Sequence, residues 1–92
     1  MVIERFKDRD AVAVYRRAQT HGRMMPDGLK YVRSWVEANF DRCYQLVECD
    51  DPGLLQQWIL AWRDLVEFEI VPVVSSEEAQ RNVTPALEGH GD

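Results

Sequence analysis

The sequence predicts an α+β fold, because four short strand-like runs and two amphipathic helical runs follow one another in the order β, α, β, β, α, β between Val2 and Ser76. That order is typical of the ferredoxin-like split βαβ sandwich, in which two helices cover one face of a four-stranded antiparallel sheet. A chain of 92 residues is the size of one domain. We therefore expect residues 1–76 to form this domain and residues 77–92 to form a short helix and a disordered tail.

The first two elements follow from local signals. Val2 to Phe6 is rich in strand-forming residues, and Asp10 can cap a helix whose apolar positions recur at helical spacing as far as His21. Gly22 suits the left-handed position that ends a helix. Pro26 to Gly28 then predicts a turn.

The next two runs predict a β-hairpin. We expect strands over 29–37 and 42–49, joined by the short connection 38–41. Asp51 and Pro52 have the residue types of an N-cap and a first helical position, so the second helix begins here. The last strand is expected over 65–74, with Pro72 placing its end at a sheet edge or a bulge.

A four-residue hairpin loop pairs residues whose numbers sum to 79. Trp35 then faces Tyr44, Arg33 faces Leu46 and Tyr31 faces Glu48. These six side chains share one face, and the mostly small or β-branched residues between them suit the helices. An odd-length loop would instead place Gln45 and the two cysteines beside Trp35.

Strand four extends both faces of the predicted sheet. Phe68 and Ile70 are expected on the helix side, which leaves Glu67 and Glu69 on the open side. For strand one, the pattern leaves open whether Glu4 or Arg5 joins the open side. The open face therefore mixes aromatic side chains with arginine and glutamate.

An open sheet face with this many aromatic side chains predicts a protein interface or a ligand-binding site. Two copies packed sheet against sheet would form a dimeric α/β barrel and enclose a pocket for a small organic ligand. The residues expected to bind the ligand are Tyr31, Arg33, Trp35, Tyr44, Glu48 and Glu69, with Glu67 also in the lining. In the alternative, Arg33 pairs with Glu48 or Glu69 and the aromatic residues only pack the interface.

No catalytic motif is present in the sequence. Glu48 and His21 are the candidates for proton transfer, although His21 at a helix end suits a capping position better. Trp58 and Trp62 lie one helical turn apart, which is typical of a buried stripe. His90 lies in the acidic C-terminal stretch and is discounted as a ligand.

Composition excludes several classes of function. The net charge of −5 disfavours nucleic acid and anionic membrane surfaces as partners. No apolar run is long enough to span a membrane, and the charged N-terminus does not resemble a signal peptide, so we expect a cytoplasmic protein. Cys43 and Cys49 lie too far apart on one strand for a disulfide. The sequence predicts no metal site and no cofactor.

Three stretches carry a resemblance to a known family: Gly28 to Trp35, Cys43 to Trp58, and Val66 to Val74. There the chain resembles a bacterial family of short single-domain proteins catalogued as a domain of unknown function, which implies no activity. More distantly, the element order resembles the dimeric α/β barrel superfamily. That resemblance implies a homodimer and includes cofactor-free monooxygenases and isomerases among its members.

We therefore expect a cytoplasmic homodimer that binds a small molecule without catalysis. The second hypothesis is a cofactor-free monooxygenase or isomerase, in which Glu48 or His21 moves a proton and Arg33 holds an anionic substrate. A third is a protein-interaction module that uses a sheet edge near Pro72.

Overall fold

A computed structural model describes residues 1–89 and confirms the predicted order of elements. All strand pairs are antiparallel, and the sheet order is β2-β3-β1-β4, as expected for a ferredoxin-like sandwich. The strands are β1 (Val2–Phe6), β2 (Lys30–Val36), β3 (Arg42–Glu48) and β4 (Val66–Ile70).

Three α-helices accompany this sheet, and their starts are set by side-chain caps. Asp10 accepts a hydrogen bond from the Ala13 amide at 3.0 Å, and Asp51 accepts one from the Gly53 amide at 2.8 Å. Each bond satisfies an amide that the first helical turn would leave unpaired. The helices are α1 (Ala11–His21), α2 (Pro52–Trp62) and α3 (Ser76–Leu87), and a 3₁₀ turn (Lys7–Arg9) precedes α1.

The hydrophobic core lies between the sheet and the first two helices. Trp58 is 1 % exposed, and its ring centroid lies 5.9 Å from that of Phe68 on β4. The prediction that the α2 tryptophans belong to the core is therefore confirmed. The buried apolar residues are Val2, Phe6, Ala11, Leu29, Cys43, Trp58, Trp62 and Val66.

The predicted hairpin register is confirmed near the loop and wrong further away. Trp35 lies opposite Tyr44 and Arg33 opposite Leu46, but Tyr31 lies opposite Val47 rather than Glu48. A β-bulge between Tyr31 and Arg33 shifts the pairing by one residue. Because successive side chains alternate between faces, this shift moves Tyr31 to the helix side.

The C-terminal part differs from the prediction in two places. β4 ends at Ile70, and its pairing with β1 continues for one more residue. The Val71 amide donates to the Met1 carbonyl at 2.8 Å, and the Met1 ammonium group donates to the Val71 carbonyl at 2.8 Å. The next residue, Pro72, has no amide hydrogen to donate. The helix that follows has 12 residues. His90 and the last part of the predicted disordered tail lie outside the described residues.

Candidate functional site

The open face of the sheet, away from α1 and α2, carries most of the predicted site. Alternation along β1 buries Glu4 on the helix side and places Arg5 on the open face, which settles the choice that the sequence left open. The side chains of this face are Ile3, Arg5, Lys30, Arg33, Trp35, Arg42, Tyr44, Leu46, Glu48, Glu67 and Glu69.

One row of this face is charged in a symmetrical pattern. Arg42 and Arg5 lie opposite each other on β3 and β1, and Glu67 lies opposite Arg5 on β4. Glu37 lies on the far side of Arg42, since its amide donates to the Arg42 carbonyl at 2.9 Å. Two adjacent arginines are therefore flanked by one carboxylate at each end. Like charges that face each other directly across a sheet are unfavourable.

Arg42 is incompletely satisfied within the described chain. Its Nε atom is buried and donates no hydrogen bond to a described residue. The nearest carboxylate oxygens, on Glu37 and Asp41, lie 4.0 Å and 3.9 Å away, beyond hydrogen-bond distance. The Arg42 side chain as a whole is 41 % exposed, so an acceptor from outside this chain would contact its exposed part rather than the buried Nε.

The neighbouring row is aromatic and apolar. Trp35, Tyr44 and Ile3 lie side by side on β2, β3 and β1. Trp35 is 48 % exposed. The Tyr44 hydroxyl donates to Glu37 Oε2 at 2.7 Å, and this bond raises the pKa of Tyr44. The row thus places the exposed indole of Trp35 next to the phenol of Tyr44, whose position is fixed by its hydrogen bond. Both side chains adjoin the charged row.

The structure brings together five of the six predicted ligand-binding residues. The open face carries Arg33, Trp35, Tyr44, Glu48 and Glu69. Arg33 makes no ion pair within 4 Å to any described residue, so the alternative in which it pairs with Glu48 or Glu69 is not formed within one chain.

The two residues considered for proton transfer do not meet. Glu48 lies opposite Lys30 on the sheet, whereas His21 is the exposed last residue of α1 in the helix layer. The enzyme hypothesis stays a prediction.

A second polar cluster lies on the helix side of the sheet, where the sequence analysis did not expect a site. Glu4 and Gln45 are 5 % and 7 % exposed, and Gln45 Nε2 donates to Glu4 Oε2 at 3.0 Å. Burial raises the pKa of Glu4. Burial also raises the pKa of the neighbouring Cys43 to about 12, with a further contribution from the charge of Glu4.

Arg23 links this cluster to the surface. Its Nε donates to Gln45 Oε1 at 3.4 Å, and its guanidinium carbon lies 3.8 Å from the ring centroid of Tyr31. Tyr31 is held in place in turn, since its hydroxyl lies 2.8 Å from the Ser34 hydroxyl. The Tyr31 side chain therefore belongs to the helix side rather than to the predicted pocket.

The backbone of Arg23 is fixed by two tryptophans. The indole N–H groups of Trp58 and Trp62 both donate to the Arg23 carbonyl, each at 2.8 Å. Buried tryptophan needs such a partner for its N–H. The connection between α1 and β2 is thereby tied to α2.

A cavity of about 260 Å³ lies between α1 and the sheet. Glu4 and Gln45 contribute polar groups to its lining, while Phe6, Trp58 and Trp62 contribute apolar surface. Arg23 also borders this space.

Two kinds of site are not found in the described part of the chain. Residues 1–89 hold no group of three or more histidine, cysteine or acidic side chains arranged to bind a metal ion. None of the described helices is long and apolar enough to cross a membrane.

Comparison with known proteins identifies the family. Residues 1–87 match the family described as "Domain of unknown function (DUF3303)". The chain belongs to this family. The predicted resemblance to a domain-of-unknown-function family is thus confirmed, and the match includes α3 as well as the sandwich. No curated protein and no solved structure shows a significant match to this DUF3303 member.

Some residues of the DUF3303 sites could have been found from the sequence. Val2 and Phe6 are apolar and alternate with Glu4, so a buried Val2 and Phe6 place Glu4 on the helix side as well. The same alternation places Arg5 on the open face. Nothing local marks Arg23, because its role depends on the stacking with Tyr31 that the bulge creates.

Proposed function

We propose that this protein is a cytoplasmic homodimeric binding module whose two subunits pack through the open faces of their sheets. The observation that carries the proposal is the charged row, in which Arg42 and Arg5 adjoin and the Arg42 Nε finds no acceptor among residues 1–89. The free thiols of Cys43 and Cys49 agree with a reducing compartment.

The charge pattern suits a second copy of the same face. Its two central arginines need carboxylates, and the row itself ends in two, Glu37 and Glu67. In a two-fold arrangement, each partner can supply the carboxylates that the other lacks. The adjacent row of Trp35, Tyr44 and Ile3 would supply the apolar contact, and aromatic and arginine side chains are enriched at such interfaces.

A small molecule could occupy space left between the two sheets. Arg33 has no ion-pair partner within the described part of the chain and lies on the same face as Trp35, Tyr44, Glu48 and Glu69. Arginine next to aromatic side chains suits a small organic molecule that carries a negative charge. The five residues remain our proposed ligand contacts between the subunits.

Sedimentation velocity on three proteins tests the proposal. Trp35→Glu places a charge in the aromatic row and should convert the dimer to a monomer, because a buried unpaired carboxylate is strongly unfavourable. Arg16→Glu is the matched control, since Arg16 lies on α1 in the helix layer. It should sediment as the wild type does.

Two results would oppose the proposal. A wild-type protein that sediments as a monomer over the micromolar range would remove its basis. Dimers that persist in Trp35→Glu with the wild-type dissociation constant would place the interface elsewhere.

A further inference from the structure

The cavity between α1 and the sheet differs from the open face in having several buried aromatic side chains in its lining. Its volume of about 260 Å³ is room for roughly nine water molecules at the volume each has in the liquid, or for one small aromatic molecule. The walls include the rings of Phe6, Trp58 and Trp62, all of which are at most 5 % exposed. Flat apolar surfaces of this kind favour a flat ligand.

The polar groups of the cavity are concentrated in one part of the lining. Glu4 and Gln45 are the buried polar residues among residues 1–89, and both border the cavity. The Gln45 amide uses its oxygen for Arg23 and one N–H for Glu4, which leaves its second N–H available. A ligand that presents an acceptor here would gain a hydrogen bond.

Arg23 adds a positive charge to this polar end, near the Glu4 carboxyl group, whose pKa burial raises and Arg23 lowers. Its guanidinium makes no ion pair within 4 Å to a described carboxylate, and Tyr31 holds it in place by stacking. The Arg23 Nε contacts Gln45, whereas its terminal nitrogens donate no hydrogen bond to a described residue. A preorganised arginine with free terminal N–H groups is suited to a carboxylate.

We propose that the cavity between α1 and the sheet binds a small aromatic carboxylate. Its ring packs among Phe6, Trp58 and Trp62, and its carboxylate accepts hydrogen bonds from Arg23 and Gln45. This site lies within one subunit, so it does not depend on the open-face dimer.

Two of the three tryptophans border the cavity, which provides a direct signal. In Trp35→Phe, which retains only Trp58 and Trp62, titration with benzoate should change the tryptophan fluorescence in a saturable manner. Benzamide has nearly the same shape without the charge and should bind about tenfold or more weakly, since hydrogen bonds to charged groups are the stronger ones.

Two variants in this background locate the site. Arg23→Gln should weaken benzoate binding about tenfold or more because it removes the charged donor. Ala18→Leu adds bulk at a residue of α1 that borders the cavity and should abolish the saturable change. Arg81→Gln removes an exposed arginine of α3 that does not line the cavity and is the matched control; it should bind benzoate within about twofold of its parent, as distant sites are usually independent.

The results that would contradict the proposal can be distinguished from one another. No saturable change with benzoate at millimolar concentration would overturn the proposal. Equal binding of benzoate and benzamide would overturn the carboxylate assignment. If Ala18→Leu melts cooperatively and still binds benzoate normally, or if Arg81→Gln weakens binding as much as Arg23→Gln does, the site lies elsewhere. Circular-dichroism melts establish that each variant is folded, and sedimentation of the same samples reports the dimer separately.

Discussion

Gln45 Nε2 donates a hydrogen bond to Glu4 Oε2 at 3.0 Å, between the sheet and its helices. The two residues are 41 positions apart in sequence, and neighbouring strands bring them together. The bond compensates only part of the cost of burying a carboxyl group, because desolvation remains the largest influence on Glu4 and raises its pKa. The titration of Glu4 should therefore affect the stability of the folded protein.

Glu4 should make folding stability depend on pH. Its pKa in the folded protein lies above the ordinary value of 4.5, so the folded state holds the proton more tightly than the unfolded state does. This contribution to the free energy of unfolding is complete below pH 4.5 and is lost as pH rises through the folded-state pKa. Urea unfolding of wild type and Glu4→Gln, at fixed protein concentration between pH 4.5 and 8, measures it.

The expected result is a difference that grows with pH. Glu4→Gln cannot ionise, so its free energy of unfolding should increase relative to that of the wild type as pH rises. Glu77→Gln is the control for the loss of an exposed carboxylate outside the sheet. A Glu4→Gln difference that stays constant across this pH range would show that burial does not shift the Glu4 titration.

The two cysteines should differ in reactivity. Cys43 is 7 % exposed, and burial raises its pKa to about 12, whereas Cys49 is half-buried. Since only the thiolate reacts readily, native protein treated with iodoacetamide at pH 8 should be alkylated at Cys43 at least about tenfold more slowly than at Cys49.

Peptide mass spectrometry of a time course measures both rates in the same molecules. In denaturant the two cysteines should react at similar rates, which controls for local sequence. Faster alkylation of Cys43 than of Cys49 in the native protein would contradict the buried, protonated thiol.

The shared acceptor of Trp58 and Trp62 predicts a coupling between them. Either Trp→Phe substitution leaves the Arg23 carbonyl with one donor, whereas the double substitution leaves it with neither. Each single variant should lose about 1–3 kcal/mol of unfolding free energy, from lost volume and one lost hydrogen bond.

The double variant should lose about 1 kcal/mol more than the sum of the two single losses, because the part-buried carbonyl then has neither indole donor. Chemical unfolding of the four proteins in the cycle provides the numbers. If the losses of unfolding free energy are strictly additive, water or another group replaces the two indole N–H donors at no cost in free energy.

The sequence predicted the helices and strands because the residues that specify them lie close together in the chain. The caps at Asp10 and Asp51 and the four-residue hairpin loop each depend on residues within a few positions. The register near that loop, including Trp35 opposite Tyr44, followed from loop length alone. Most of the predicted open face was therefore placed correctly.

The wrong predictions concern features that are determined by contacts between residues far apart in the sequence. No glycine marks the bulge next to Tyr31 in the sequence. Because of the bulge, the Tyr31 side chain lies on the face of the sheet opposite to the one predicted. The residues on the helix side were interpreted only as suited to helix packing, so the cavity beside Glu4 was not anticipated. Its existence depends on how α1 and the sheet pack, which neither periodicity nor composition specifies.

The central claim is that two copies of the chain associate through their open sheet faces. Native mass spectrometry of the purified wild-type protein at low micromolar concentration tests it most directly, because the subunit number and any retained small molecule appear in the same spectrum. We predict a mass twice that of the 10.7 kDa chain, with no dominant monomer. A spectrum of monomers alone would contradict the account.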